Sequence, residues 1–324
     1  MPGNSQHVSF EAGAIDVIGV LHLPHGFDER RTYPAIVIVT PGSSVKEQIG
    51  ATYAARLAEK GYVALAFDPS YQGESGGGLR DLEDPSARVE DVRGAVDYLV
   101  TLGYIDGARI GVLGICAGGG YAVNAALTER RIRAVGAVVP VNIGRAFRQA
   151  KAAGDGIDDT LAEVGRQRTA EARGGAQRRD PWLPDSLEDA KEVGIVDPDT
   201  LEAIAYYRTP PGYNANATNR LLFRSNALLL AFDAFHLVEE LLTQPLQVIV
   251  AGRRGNTFSY EDGEDLWKRA PNSKDFAVIA GAGHYELYDK PEYVDRAVDK
   301  LGAFFAAHLA TNRPIALIDK ESVT

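Results

Sequence analysis

The single cysteine in this chain of 324 residues stands between two glycines, in the run Gly114-Ile115-Cys116-Ala117-Gly118. That spacing is the G-x-S-x-G nucleophile elbow with sulfur in place of oxygen. The elbow is a sharp strand-to-helix turn that holds its central residue in a strained backbone conformation. A side chain two positions before or after that residue would collide with the turn, so both places favour glycine. The apolar run from Ile110 to Leu113 leads in as a buried strand, and the Ala-rich segment from Ala117 to Leu127 leads out as a helix. The alternative is a small buried cysteine in a Gly-rich turn with no chemistry attached.

A thiol nucleophile needs a base. His284, in Gly281-Ala282-Gly283-His284-Tyr285, follows the last strand-like run and precedes the last helix. It therefore belongs to a loop at the same sheet edge to which the elbow delivers Cys116. His7, His22 and His25 fall in N-terminal strands, and His236 and His308 in helices. These five are read as solvated or packing residues.

The elements that must position the pair can be read from apolar patterning. Strand-like runs occur at 16–23, 35–39, 63–67, 109–113, 134–141, 246–251 and 276–280. Helical spacing occurs at 47–60, 86–102, 117–130, 260–269 and 292–308. Such alternation predicts a mainly parallel α/β sheet covered on both faces, with the runs before the first helix as an antiparallel edge. The alternation breaks once, between about Arg145 and Thr243, where no convincing strand is found. Residues 145–243 are therefore expected to form a mostly helical cap. They are inserted between two neighbouring strands of a core made of 1–144 and 244–324, over the carboxyl ends where such sheets bind ligands. The apolar Pro314–Ile318 tail is expected to dock on the core or on a second subunit. No internal repeat is present.

These features together resemble the α/β-hydrolase superfamily, and within it the dienelactone hydrolase-like branch, whose members carry cysteine or serine at the elbow. The resemblance covers nearly the whole chain. It includes Thr40-Pro41-Gly42-Ser43-Ser44 after an early strand, Val45-Lys46-Glu47-Gln48, the segment Asp68–Ser75, the elbow and the histidine loop. It implies an α/β-hydrolase fold and the chain order nucleophile, acid, histidine.

The family expects an aspartate after the strand at 246–251, where this chain reads Gly252-Arg253-Arg254-Gly255-Asn256-Thr257. Asn256 is the nearest match, with Glu261, Asp262 and Asp265 as competitors and a simple turn role as the alternative. An amide is tolerable beside a cysteine. A Cys–His pair can rest as thiolate and imidazolium, and the third group then mainly fixes the ring's tautomer and tilt.

Two backbone amides are needed for the oxyanion. Ala117 at the start of the post-elbow helix is one, and Ser43 is the other, with Ser44 as runner-up. The resemblance offers Glu47 as a partner of the resting thiol, against a carboxylate serving the helix dipole. Tyr71, Trp182, Tyr206 and Tyr207 are candidates for the pocket wall, although the cap aromatics could equally form the cap's own core.

Bulk properties narrow the field. A net charge of −10 argues against nucleic acid and anionic membranes as partners. A lone cysteine and the lack of zinc spacing point to a reduced, cytoplasmic setting. No signal-like segment opens the chain. No G-x-G-x-x-G, Walker A lysine or H-E-x-x-H occurs, so neither a cofactor nor a metal is expected.

The expected chemistry is hydrolysis of an ester, lactone or thioester through an acyl-cysteine, with a small-molecule acyl substrate and a homodimer left open. The rivals are acyl transfer, cyclisation or C–C cleavage on the same site, a non-catalytic ligand-binding protein, and a redox-sensing thiol.

Overall fold

The computed structural model describes residues 4–154, 156–210 and 212–310; the Pro314–Ile318 tail lies outside the described residues. The strands of the main sheet are β1 (Ser5–Ala12), β2 (Ile15–His22), β3 (Tyr33–Val39), β4 (Val63–Phe67), β5 (Ile105–Ile115) and β6 (Ile132–Val138). After the short strands β7 (Arg179–Pro181) and β8 (Arg220–Leu222) come β9 (Leu246–Ala251) and β10 (Ser273–Ile279). Eight strands pair in the order β1-β2-β4-β3-β5-β6-β9-β10.

Strand β3 shows why the sheet is buried on both sides. Ala35, Val37 and Val39 join one apolar cluster, while Ile36 and Ile38 join the other. Side chains alternate across a strand, so a continuous apolar run needs cover on both faces. On the first face that cover includes α2 (Pro85–Thr101), which follows α1 (Ala51–Glu59) in the chain, and α3 (Ala117–Ala126). On the second face it is α1, through Tyr53, Ala54 and Leu57, and the C-terminal helix, through Val298, Leu301 and Phe305.

The antiparallel edge comprises β1 and β2 alone. Strand β3, expected in that edge, is interior and parallel to both β4 and β5. The 24–32 connection carries the chain from β2 past β4 to the centre of the sheet, and the apolar pattern of β3 alone does not reveal that crossing. Strands β6 and β9 flank the interruption and pair in parallel as neighbours.

Between β6 and β9 lie α4 (Ile143–Ala153), α5 (Ile157–Ala172), α6 (Leu187–Glu192), α7 (Pro198–Tyr207), α8 (Ser225–Ala231) and α9 (Val238–Leu241). The β7–β8 pair among them is a small antiparallel sheet in sequence read as strandless. Three residues per strand are too few to show a period. The insertion meets the core at loops that follow strand carboxyl ends. The Gln48 side chain donates to the Gly212 carbonyl at 2.7 Å, the Leu222 amide to Asp81 at 2.8 Å, and the Glu83 amide to Ser225 Oγ at 3.0 Å. The chain then completes the sheet with α10 (Ser259–Arg269), the single turn α11 (Glu286–Asp289) and α12 (Pro291–His308). Among the described residues no helix is long and apolar enough to cross a membrane.

The glycines of the elbow mark a close approach of backbones. A Cβ at Gly118 would lie 2.1 Å from the Val39 carbonyl oxygen, and one at Gly114 would lie 2.2 Å from the Gly118 oxygen. Neither neighbour is a side chain that can swing away. Gly118→Ala is expected to cost about 3 kcal/mol or more of stability, read as a lowered midpoint in urea unfolding. An unchanged midpoint would contradict this account of the turn.

Candidate active site

Cys116 has φ 55° and ψ −126°, a conformation that costs a non-glycine residue about 1–3 kcal/mol. The surroundings hold it there. Its amide donates to Val138 at 3.0 Å, and its carbonyl accepts from Gly119 and Val141, each at 2.9 Å. The thiol thus stands at the mouth of α3, where the Ala117 amide hydrogen-bonds to it and the positive end of the helix points at it.

His284 is 2 % exposed. Its Nδ1 lies 2.9 Å from Ser259 Oγ, and its Nε2 lies 3.1 Å from the Tyr288 hydroxyl. The same hydroxyl interacts with the Cys116 thiol and favours its charged form. The histidine therefore meets the sulfur through Tyr288. Burial pushes the thiol up to about 11, although Tyr288, the Ala117 amide and Arg88 all favour its charged form. Burial also drives His284 down to about 3. Burial thus favours the neutral thiol and the neutral imidazole over the thiolate–imidazolium pair. With the imidazole buried and the thiol half-buried, separating the charges is costly.

None of the four expected partners of His284 touches it. The Asn256 side chain turns away and donates to Asp197 Oδ1 at 2.6 Å. Glu261 pairs with Arg254 at 3.3 Å and Asp265 with Arg269 at 3.0 Å. Asp262, buried, is taken by the Asn142 amide at 2.8 Å and by Arg145 at 2.5 Å. Ser259 takes the place instead. Phe258 adopts a left-handed conformation, φ 56°, which starts α10 with the Ser259 side chain turned in.

The loop expected to carry the acid serves the insertion. Asp197 caps α7 and holds Asn256, Asp199 accepts from the Thr257 amide at 2.9 Å, and Glu202 accepts from Arg253 at 2.6 Å.

The Ser43 amide, expected as an oxyanion donor, has φ 55° at its residue and donates at 3.4 Å to the fully buried Glu83 carboxylate. The runner-up, the Ser44 amide, closes a turn onto the Pro41 carbonyl at 3.3 Å. Glu83 also accepts from the Tyr121 hydroxyl at 2.8 Å and faces Arg88 Nε at 3.3 Å. Arg88 in turn donates to the carbonyls of Thr40 and Pro41, at 2.5 and 3.0 Å. A buried ion pair thus holds the Thr40–Ser44 loop from beneath.

The other end of that loop is held by Lys46, buried against Asp68 at 2.8 Å and against Glu74. Glu47, offered as a partner of the thiol, pairs with Lys46 at 2.7 Å.

A small pocket lies between this loop and the insertion. Gly42, Ser43, Trp182, Leu183, Tyr207, Arg208, Ala217 and Asn219 line it. Trp182 and Tyr207 are thus in the wall as expected positions. Tyr206 stands behind it, edge-on to Tyr207 at 4.8 Å and to Tyr288 at 5.2 Å between ring centres. Tyr71 packs over Gly77 and does not line the pocket.

Sequence reasoning missed Ser259, Tyr288 and the Glu83–Arg88–Tyr121 group. The available signal for Tyr288 was its position four residues after His284, which one helical turn brings to the same side.

A nucleophile elbow on a mainly parallel sheet, a histidine loop at the same edge and an insertion after β6 define an α/β hydrolase. Comparison with known proteins agrees. The family model described as PET hydrolase-like matches residues 6–157. YcjY of Escherichia coli (strain K12) is 41 % identical over 296 residues, covering 90 % of this chain and 94 % of its own. The crystal structure of the protein PA2218 from Pseudomonas aeruginosa superposes with a TM-score of 0.84 at 30 % identity, covering 94 % of each chain. Thiohydrolase aneE of Aspergillus aculeatus is 27 % identical over 264 residues, 78 % of this chain and 79 % of its own. A solved dienelactone hydrolase from Anabaena variabilis shares the fold, with a TM-score of 0.52 at 15 % identity over 95 % of this chain and 99 % of its own. The chain belongs to the α/β-hydrolase superfamily.

The two candidates for orienting His284 are separable by turnover. A hydrogen bond worth about 1.4 kcal/mol in the transition state corresponds to about tenfold in rate. Ser259→Ala is expected to lower kcat for an activated ester by about that factor, with Asn256→Ala within about twofold of wild type. The reverse ranking would restore Asn256 to the role.

Proposed function

We propose that this hydrolase cleaves an ester, lactone or thioester by covalent catalysis, with Cys116 as nucleophile and His284 as the base that takes its proton. The observation that carries the reading is the Cys116 thiol on a strained elbow, with Tyr288 between it and a buried histidine whose other nitrogen lies against Ser259. The thioester option is supported by the likeness to a thiohydrolase.

Attack by sulfur forms a tetrahedral intermediate whose oxyanion is held by the Ala117 amide and by the Ser43 amide, which must leave Glu83 to reach it. Collapse expels the alcohol or thiol, protonated by His284, and leaves an acyl-cysteine. Water then attacks, with His284 again as base, and releases the acid. A thiolate is itself easily expelled, so activated esters and thioesters suit this site better than amides. The insertion acts as a cap in this reading, and the pocket beside Ser43 that Trp182 and Tyr207 line is where the substrate would sit.

Incubation with an activated ester followed by acid quench and intact mass tests this. Wild type is expected to gain one acyl mass, lost on addition of hydroxylamine. Cys116→Ala is expected to gain none and to lose turnover by about 10³-fold or more. Turnover retained in Cys116→Ala would overturn the assignment of the nucleophile. Adding an alcohol or amine as second acceptor distinguishes hydrolysis from acyl transfer by its product.

A further inference from the structure

The hydroxyl of Tyr288 stands between the two members of the pair that must exchange a proton, 3.1 Å from His284 Nε2 and interacting with the Cys116 thiol. We propose that Tyr288 is a catalytic residue of this site, a relay through which the Cys116 proton passes to His284; this rests on the acyl-cysteine reading above.

The relay requires one tautomer. In it Nδ1–H donates to Ser259, whose hydroxyl lies 3.3 Å from that of Thr257. Nε2 is then the acceptor and takes the hydrogen bond of the Tyr288 O–H. The tyrosine oxygen is left to accept from the thiol. The ring that carries this hydroxyl is fixed: Tyr288 is fully buried, edge-on to Tyr206 at 5.2 Å and to Tyr207 at 6.2 Å between centres, and inclined to Tyr285 at 5.1 Å. Both tyrosines of α7 thereby bear on it, so the insertion supports the relay.

As sulfur bonds to the carbonyl carbon, the thiol S–H bond breaks and its proton joins the Tyr288 oxygen. In the same event the tyrosine O–H bond breaks and that proton joins Nε2. The carbonyl π pair moves onto oxygen. Tyrosine ends with one proton as it began, histidine is the imidazolium, and the intermediate carries the negative charge. When the leaving group departs it takes its proton back along the same path. Tyrosine never needs to rest as a phenolate, which burial opposes strongly. Its value is that the two end groups, whose neutral forms burial favours, exchange a proton without approaching each other.

The experiment combines Tyr288→Phe, His284→Ala and the double variant of the full chain. The first readout is the pH dependence of iodoacetamide alkylation of Cys116 by intact mass, which needs no turnover. In a relay, removing His284 alters the profile when Tyr288 is present and has no further effect once Tyr288 is phenylalanine. The second readout is single-turnover acylation by an activated ester. It is expected to fall by about 10²-fold or more in Tyr288→Phe with KM unchanged. The third readout uses wild type alone, so it survives a variant that fails to fold: the solvent-isotope proton inventory of acylation. A curved inventory, with two protons in flight, supports the relay. A linear inventory, acylation at or above the wild-type rate in Tyr288→Phe, or additive effects in the alkylation profiles would each overturn it. Coupled alkylation profiles in a protein that acylates with no ester or thioester would instead overturn the acyl-cysteine reading while supporting the hydrogen-bonded chain.

Discussion

The backbone at Cys116 is the constraint on which the rest of the site depends. Its φ and ψ lie where a residue with a Cβ does not rest unaided, so the fold must supply the difference. Three backbone hydrogen bonds to β6, to the first turn of α3 and to the loop after β6 do so. They require β5 and β6 in register, α3 pressed against the end of β3, and no side chain at either flanking glycine. Much of the sheet's core is therefore engaged in holding one sulfur in place. The reward is a thiol presented beside a helix terminus on a short, stiff turn.

Exclusion of water works in two directions here. It favours the neutral forms of both the thiol and the imidazole, which leaves the thiol unactivated at rest. It also raises the worth of every dipole aimed at the charge that develops later. The fully buried Glu83 and the Arg88 beneath the Thr40–Ser44 loop belong to the same economy. They are an ion pair with its partners arranged around it, one carboxylate oxygen resting against the Ser43 amide.

What could be read in advance divides along the range of the interactions involved. The elbow is local: five residues carry it, and its glycines and cysteine are legible without the fold. The place of His284 was legible from chain order, since a loop after the last parallel strand falls at the sheet's carboxyl edge. The ring's second partner was not. Asn256 looks right by position, but its amide is claimed by Asp197, about sixty residues earlier in the chain, and Ser259 is turned inward by the left-handed Phe258. Tyr288 escaped because its role depends on a single helical turn and on where the Cys116 sulfur lies in space. The antiparallel edge was overextended to β3 because apolar patterning records burial and says nothing of direction. The β7–β8 pair was too short to register at all.

The way α7 grips the loop after β9 has a consequence for how this architecture can be recombined. Asp197, Asp199 and Glu202 hold residues 253–257, and those residues lead directly into Ser259. The tyrosines at the other end of α7 stand against Tyr288. The helix and the loop are thus one mechanical part, though they are distant in the chain. A chimera that takes the insertion from a relative must take residues 252–259 with it. Grafted without them, the new insertion would arrive with no grip on the loop, and the histidine would lose its alignment in a protein whose sheet, elbow and histidine loop are all still present.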